Sequence, residues 1–486
     1  IIAKPDLDTK VLRIKVVTNS DNTVKNLYYI SETEKKHDNC QINKNDTKIS
    51  SDKTHLHRHK STKTNEIKVC INNPGIYIDI PDNKTQADSN KKNDSYDELY
   101  KDSPYAPFTY YGISDTFIEI PLDELDIKAW TPDTPYLYTF SVNIGKDYVQ
   151  SYFALRTFTI EKDSNDIPRI CLNHRPIFQK GVLDQGYWPD GLYTSPCDNA
   201  LIYDIKTMKC LGFNMLRKHI KIENNRWYYH CDRLGMLVWQ DAVSGGGEYN
   251  AWATNRKPTL MRATWNKYRD DTAKHFAALG ADDSTYRRDW SRTCDAMVHM
   301  LAGHPSIVTW VLFNEGWGQF DACDAAERIH ALDPTRPIDA TSGWYDQRCG
   351  DVHSVHNYFR PLEIYPDKGP LRGYVAEYEK RHKRRRRAAH YAVLPVAQHG
   401  VRAFVISEFG GLAQLVADHA AVSRAYGYGE YDSIEDWRTA VRSVLDSAES
   451  LESRGLAGYV YTQVSDVEEE LNGLMTYDRR LNKFAQ

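Results

Sequence analysis

Two segments of this 486-residue chain end an apolar run in a glutamate with glycine close behind it. VLFNEGWG, Val311 to Gly318, carries Glu315, and AFVISEFGG, Ala403 to Gly411, carries Glu408. A carboxyl that closes a buried strand is costly unless it is used or partnered. The carboxyl ends of barrel strands are where a (β/α)8 barrel keeps its catalytic groups. Two carboxyls so placed suit glycoside hydrolysis, in which one protonates the departing oxygen and the other attacks the anomeric carbon or activates water. The plain alternative is a pair of salt-bridged carboxylates at a barrel rim. Asp184 and Gln185, behind an earlier apolar run, are candidates for binding sugar hydroxyls, and Trp344 is a candidate stacking platform.

The elements that must position these residues are legible in the hydrophobic periodicity. From about Ile167 strand and helix patterns alternate, with strands predicted around 177–182, 214–217, 236–241, 307–314, 338–342, 352–358, 404–408 and 459–462. Helical patterns fall between them at 197–211, 284–302, 321–332 and 434–454. Such alternation predicts a (β/α)8 TIM barrel over 164–486. Residues 1–163 alternate instead in a β manner, at Val11–Val17, Ile67–Ile71, Thr116–Leu122, Leu137–Ile144 and Tyr152–Ile160, which predicts an antiparallel β-sandwich. Tracts at about 31–66 and 82–103 are too polar to bury an ordering core and are expected as loops. NDT, NKT and NDS at Asn45, Asn83 and Asn93 match the glycosylation sequon, a match that Asn-rich tracts also produce by chance. A basic insertion at about 369–401 carries KRHKRRRR, Lys380 to Arg387, which could meet nucleic acid, anionic lipid or an import receptor, or form a solvated loop.

Composition narrows the classes. The 41% hydrophobic content suits a globular chain of two or three domains, and no apolar run reaches the length of a membrane span. A net charge of -4 argues against a dedicated nucleic-acid binder. The nine cysteines follow neither zinc-site nor disulfide spacing, so free thiols are expected, with no metal and no cofactor. The first residues, IIAKPDLDTK, read as mid-domain sequence. Compartment and oligomeric state are not encoded legibly, and a homo-oligomer is compatible with the sequence.

Five ordered segments resemble glycoside hydrolase family 2, the family of β-galactosidases, β-glucuronidases and β-mannosidases. They are CLNHRPIFQKGVLDQGYWPDG from Cys171, GFNMLRKH from Gly212, YYHCDRLGMLVWQD from Tyr228, GHPSIVTWVLFNEGWG from Gly303 and FVISEFGG from Phe404. Upstream, WTPDTPYLYTFSV from Trp130 and FALRTFTI from Phe153 resemble the end of that family's immunoglobulin-like domain. The resemblance implies an immunoglobulin-like β-sandwich followed by the barrel, and an exo-acting retaining β-glycosidase with a carbohydrate substrate, with β-galactosidase as the expected activity. It makes Glu315 the general acid/base, Glu408 the nucleophile, and Asn314 the residue that bonds the sugar 2-hydroxyl. It implies that Tyr358 donates to the nucleophile and Arg217 braces it, and His356, two before Tyr358, joins the site. His353 reads as structural.

Several departures from the family pattern are visible. Its amino-terminal sugar-binding domain is absent from this sequence. His219 follows Arg217 by two positions where the resemblance leads one to expect three. Tyr461 and Gln463 stand on the eighth strand where relatives carry tryptophan, and Asp466, Glu468, Glu469 and Glu470 suggest an acidic rim. No Asn-x-Lys carboxylate clamp is evident near the site, which favours a neutral hexoside. A competing expectation is a catalytically impaired carbohydrate-binding protein.

Overall fold

The computed structural model describes residues 1–15, 17, 66–72, 108–113, 117–122, 127–144, 147–261, 265, 268–365, 402–420, 422, 424 and 426–485. The basic insertion, its KRHKRRRR run, the three sequons and nearly all of the two polar tracts lie outside these residues. The chain forms two compact units, one drawn from 1–4, 12–121 and 138–152, the other from 5–11, 122–137 and 153–486.

The second unit is a parallel eight-stranded sheet rolled into a TIM barrel. In chain order its strands are Gln179–Asp184, Met215–Lys218, Leu237–Asp241, Ile307–Val311, Ile338–Asp339, Val352–Asn357, Ala403–Gly410 and Leu456–Thr462. Each overlaps one strand expected from the sequence. The hydrogen-bonded order places the first strand between the second and the eighth, and the sheet runs from the fifth strand round to the sixth. Side chains cross that last seam, where Ser354 Oγ donates to Asp339 Oδ2 at 2.6 Å. Because every neighbouring pair is parallel, with Asp184 beside Lys218 and Arg217 beside Trp239, all eight carboxyl ends face one rim.

The helices between strands begin and end where local chemistry says they should. Asn224 caps Asn225–Leu234 by accepting from Trp227 N, and the helix stops at Gly235, whose φ of 71° is left-handed. Asp283 caps Ser284–Leu301 and Ser433 caps Ile434–Glu449 in the same way. Their apolar faces cover the outside of the barrel, where Trp227, Trp290, Trp310 and Trp437 are buried.

The inward faces of the strands are layered. Successive strand residues point to opposite faces, so Leu237, Trp239 and Asp241 share one face, as do Met215 and Arg217. Low on that face the residues are apolar; at the top they are charged. The apolar layer is completed from below, by Trp130, Phe158, Ile170 and Leu172 packed in one cluster with Met215, Trp239 and Val308. Trp130 is 0% exposed and its indole N–H donates to Asp232 O at 2.8 Å. Arg156 is also anchored in this segment, donating to Pro305 O and Ile307 O at 3.0 and 2.8 Å.

In the amino-terminal part, Glu66–Asn72 pairs antiparallel with Phe108–Ile113 and with Tyr138–Ile144, and Asp147–Phe153 completes a four-stranded sheet. A three-stranded sheet joins Ile2–Asp6, Val11–Lys15 and Phe117–Pro121. The single run expected at Tyr152–Ile160 is two strands, Asp147–Phe153 and Phe158–Lys162, the second pairing with Pro168–Leu172. Between them Ala154 and Leu155 are buried and Leu155 O accepts from Trp130 N, so the apolar run continues while the ladder does not.

Candidate active site

Glu315 stands just past the fourth strand on a backbone turned left-handed, with φ at 51°, and Gly316 follows at 75°. Consecutive left-handed residues explain the glycine, since a β-carbon at Gly316 would meet the Tyr345 ring at 2.8 Å. A non-glycine residue in this region is strained, a cost of about 1–3 kcal/mol that the surroundings must hold in place. They do so through Glu315 N, which donates to Ser342 O at 2.9 Å, and Glu315 O, which accepts from Trp344 Nε1 at 3.0 Å.

Glu408 lies within the seventh strand and is gripped from three sides. Arg217 Nη1 donates to its Oε1 at 3.0 Å and Tyr358 OH donates to its Oε2 at 2.6 Å. His356 Nδ1 lies 3.4 Å from Oε2 and 2.8 Å from Glu315 Oε1, so one ring nitrogen faces both carboxyls. Arg217 is fully buried, and its remaining donors reach Asp241 at 2.9 and 3.0 Å and Asn314 Oδ1 at 2.8 Å. Asn314 Nδ2 is left without a hydrogen-bond partner among the described residues. So are both ring nitrogens of His219, whose Nε2 lies 3.8 Å from Glu408 Oε1.

The electrostatics separate the two carboxyls. Burial pushes Glu315 up to about 8, against the pull of Arg217. Burial also raises Glu408, against the pull of Arg217 and the Tyr358 hydrogen bond. Burial drives His356 down to about 3, so the imidazole is neutral at neutral pH. Tyr358 is raised well above its ordinary value, first by burial and then by the Glu408 charge, and keeps its proton to donate. Among the described residues, Glu315, His356 and Glu408 are the one group of His, Cys, Asp and Glu close enough to share a metal ion, with ligand atoms within 4.8 Å of one another. Those atoms already bond to each other, to Tyr358 and to Arg217, and the guanidinium supplies the positive charge an ion would bring.

The remaining candidates are placed differently. Asp184 is buried, with Oδ2 on Lys218 Nζ at 2.7 Å and Oδ1 on Gly186 N at 2.9 Å. Gln185 Nε2 donates to Gln463 Oε1 and Glu470 Oε2 at 2.7 and 2.9 Å, and it lines a cavity of about 250 Å³ with Tyr187, Tyr426 and Glu470. Trp344 is 7% exposed, its indole bracing the Glu315 backbone and its ring set edge to face with His356. His353 packs against Phe404 and lies near Asp346. Of the acidic rim, Glu468 and Glu469 are exposed, whereas Asp466 is buried and paired with Lys483 at 2.8 Å. Tyr461 is fully buried against Phe409 and Gly410, and so belongs to the core.

Sequence reasoning did not single out Asp241, Ser342, Ser407, Tyr428 or Thr462, whose hydroxyl lies 3.0 Å from Tyr358 OH. Asp241 closes an apolar run in the sequence just as Glu408 does, and that signal was available. Tyr428, stacked on Tyr358 at 4.0 Å, comes from a loop with no periodic signal.

Residues 167–486, well over half of the chain, match the family described as glycosyl hydrolases family 2, TIM barrel domain. A β-galactosidase of Streptococcus thermophilus is 24% identical over 387 residues, covering 76% of this chain and 34% of that protein. A β-galactosidase of Pseudoalteromonas haloplanktis is 26% identical over 234 residues, 46% of this chain and 19% of that protein. The chain thus spans about a third or less of the length of these relatives. Among solved structures, a β-D-glucuronidase from Dictyoglomus thermophilum superposes with a TM-score of 0.54 at 16% identity, covering 87% of this chain and 63% of that one. A β-galacturonidase from Eisenbergiella tayi bound to galacturonate gives 0.52 at 16% identity, covering 86% and 64%. These two likenesses establish a shared fold.

Proposed function

The chain belongs to glycoside hydrolase family 2, and from that footing we propose that it is an exo-acting retaining β-glycosidase working through a covalent glycosyl-enzyme. The observation that carries the proposal is the unlike pair of carboxyls, with oxygens of Glu315 and Glu408 within 4.8 Å of one another and only Glu315 pushed to about 8. Retaining enzymes hold their two carboxyls about 5–5.5 Å apart and inverting ones about 6.5–9.5 Å. In this reading Glu315 protonates the glycosidic oxygen while Glu408 attacks the anomeric carbon. Glu315, now ionised, then takes a proton from the water that releases the sugar.

Arg217 and Tyr358 orient Glu408, and the unpartnered Asn314 Nδ2 and His219 nitrogens are offered to sugar hydroxyls. A neutral hexoside, with β-galactoside first, is supported by the β-galactosidase relatives and by the exposed Glu468 and Glu469 near Gln185, which disfavour a uronate. The antiparallel sheets within residues 1–163 support an immunoglobulin-like sandwich preceding a catalytic barrel at 164–486.

Turnover of a panel of nitrophenyl β-glycosides, with anomeric configuration followed by NMR, tests the proposal. A β-product from the galactoside is expected. An α-product overturns retention, and absence of turnover across the panel by the folded chain favours a carbohydrate-binding protein. Glu408→Gln should abolish hydrolysis of every substrate. Glu315→Ala should still be glycosylated by dinitrophenyl glycosides, and azide should restore its turnover as the β-glycosyl azide. Rescue of the Glu408 variant as the β-azide would reverse the two roles.

A further inference from the structure

We propose that Ser342 and Ser407 are positioning residues that hold His356 in its Nε2–H tautomer, so that the bare Nδ1 receives a hydrogen bond from a protonated Glu315. The inference rests on the reading of Glu315 as acid/base and adds the device that keeps its proton in place. Ser407 gives its single hydroxyl proton to Val355 O, at 3.4 Å. Ser342 gives its own to Ser407 Oγ, at 2.8 Å. With its proton on Ser407, Ser342 Oγ accepts at its third contact, 3.0 Å from His356 Nε2, and the serine chain thereby favours the ring proton on that nitrogen. A neutral imidazole has one N–H, which leaves a lone pair on Nδ1. That lone pair points at Glu315 Oε1, 2.8 Å away, and the contact is attractive only if the oxygen is protonated.

The ring is closely packed: it lies where a β-carbon on residue 343 would stand, a place left open by Gly343, and Trp344 meets it edge to face. The charged and titratable groups facing the His356–Glu315 contact are Glu408 from the seventh strand, Arg217 and His219 from the second strand and its loop, and Tyr358 beyond the sixth. Tyr428 and Glu470 act on Glu315 from the loops beyond. The low basicity of His356 and the raised Glu315 agree with the assignment. In the resting site the proton sits in an Oε1–H···Nδ1 bond until a glycosidic oxygen competes for it. As the C–O bond breaks, the proton passes to the leaving oxygen and Glu408 bonds to the anomeric carbon. The lone pair at Nδ1 then faces a carboxylate, which favours return of a proton from the attacking water as the Glu408 bond breaks.

Ser342→Ala removes the acceptor that selects the tautomer, so Nδ1–H becomes accessible and stabilises ionised Glu315. The basic limb of kcat/KM should move to lower pH by about one unit, a roughly tenfold loss above the limb. A methyl β-glycoside should lose correspondingly more than a dinitrophenyl glycoside, which departs without a proton. Ser342→Thr, which keeps the hydroxyl, should restore the limb. Independently, 15N-histidine NMR of the wild type should show His356, identified by loss of its signal in His356→Gln, with a protonated Nε2 and a bare Nδ1. An Nδ1–H spectrum, or a folded Ser342→Ala variant with the wild-type limb, overturns the proposal. If the wild type turns over no glycoside, the glycosidase reading falls, while the spectrum still decides the tautomer.

Discussion

The two carboxyls differ because their surroundings differ, and that difference has measurable consequences at single residues. kcat/KM should be bell-shaped, with a basic limb near pH 8 from Glu315 and an acidic limb above the ordinary glutamate value from Glu408. A basic limb far below 8 in the wild type would mean that Glu315 does not carry the acid proton. Tyr358→Phe removes only the hydroxyl contact to Glu408 and should slow turnover by on the order of 10²–10³-fold with folding intact. Unchanged turnover would assign Tyr358 to packing. Glu315→Gln tests the cost of the site itself. Because the folded-state value lies above the unfolded one, the folded chain binds the extra proton between about pH 4.5 and 8, and stability falls as pH rises through that window. The glutamine variant escapes the penalty, so its Tm should exceed the wild type by more at pH 8.5 than at pH 5, as differential scanning calorimetry would show.

At the level of elements, the loops at the rim are held by conformations that few residues tolerate. Gly343, at φ 100°, lies against the His356 ring, and Gly343→Ala adds a β-carbon 2.9 Å from Nδ1. It should cost about 1–3 kcal/mol in stability and reduce kcat beyond what that loss explains. A variant with unchanged kcat would show that the ring can shift without consequence. This scale is also where sequence reading fared unevenly. The eight barrel strands were legible because strands buried on both faces are continuous apolar runs, and the helices because their caps and 3.6-residue period are local. The turn at Glu315 was legible through its glycine. The Ser342–Ser407 chain was not, because two serines 65 positions apart carry no pattern until the barrel closes. The Lys218 partner of Asp184 was equally hidden: a strand-end carboxylate reads the same in sequence whether or not a lysine meets it.

For the molecule as a whole, the barrel is stabilised by what lies beneath it as much as by its own helices. Trp130 seals the apolar layer from below although it lies far ahead of the first barrel strand in sequence. Trp130→Ala should cost about 3–5 kcal/mol, read as a lower Tm, while KM for a nitrophenyl glycoside is retained because the charged layer above is untouched. A large change in KM with an unchanged Tm would place the tryptophan's influence at the rim instead.

The same indole offers a clock. Its N–H is enclosed and bonded to Asp232 O, so it can trade its hydrogen for deuterium only when the floor of the barrel lifts. The waiting time for that trade, followed with 15N-tryptophan in heavy water, measures how often the lower layer opens in the folded chain. If saturating sugar lengthens the wait, the rim and the floor open together; if it does not, the floor breathes on its own schedule.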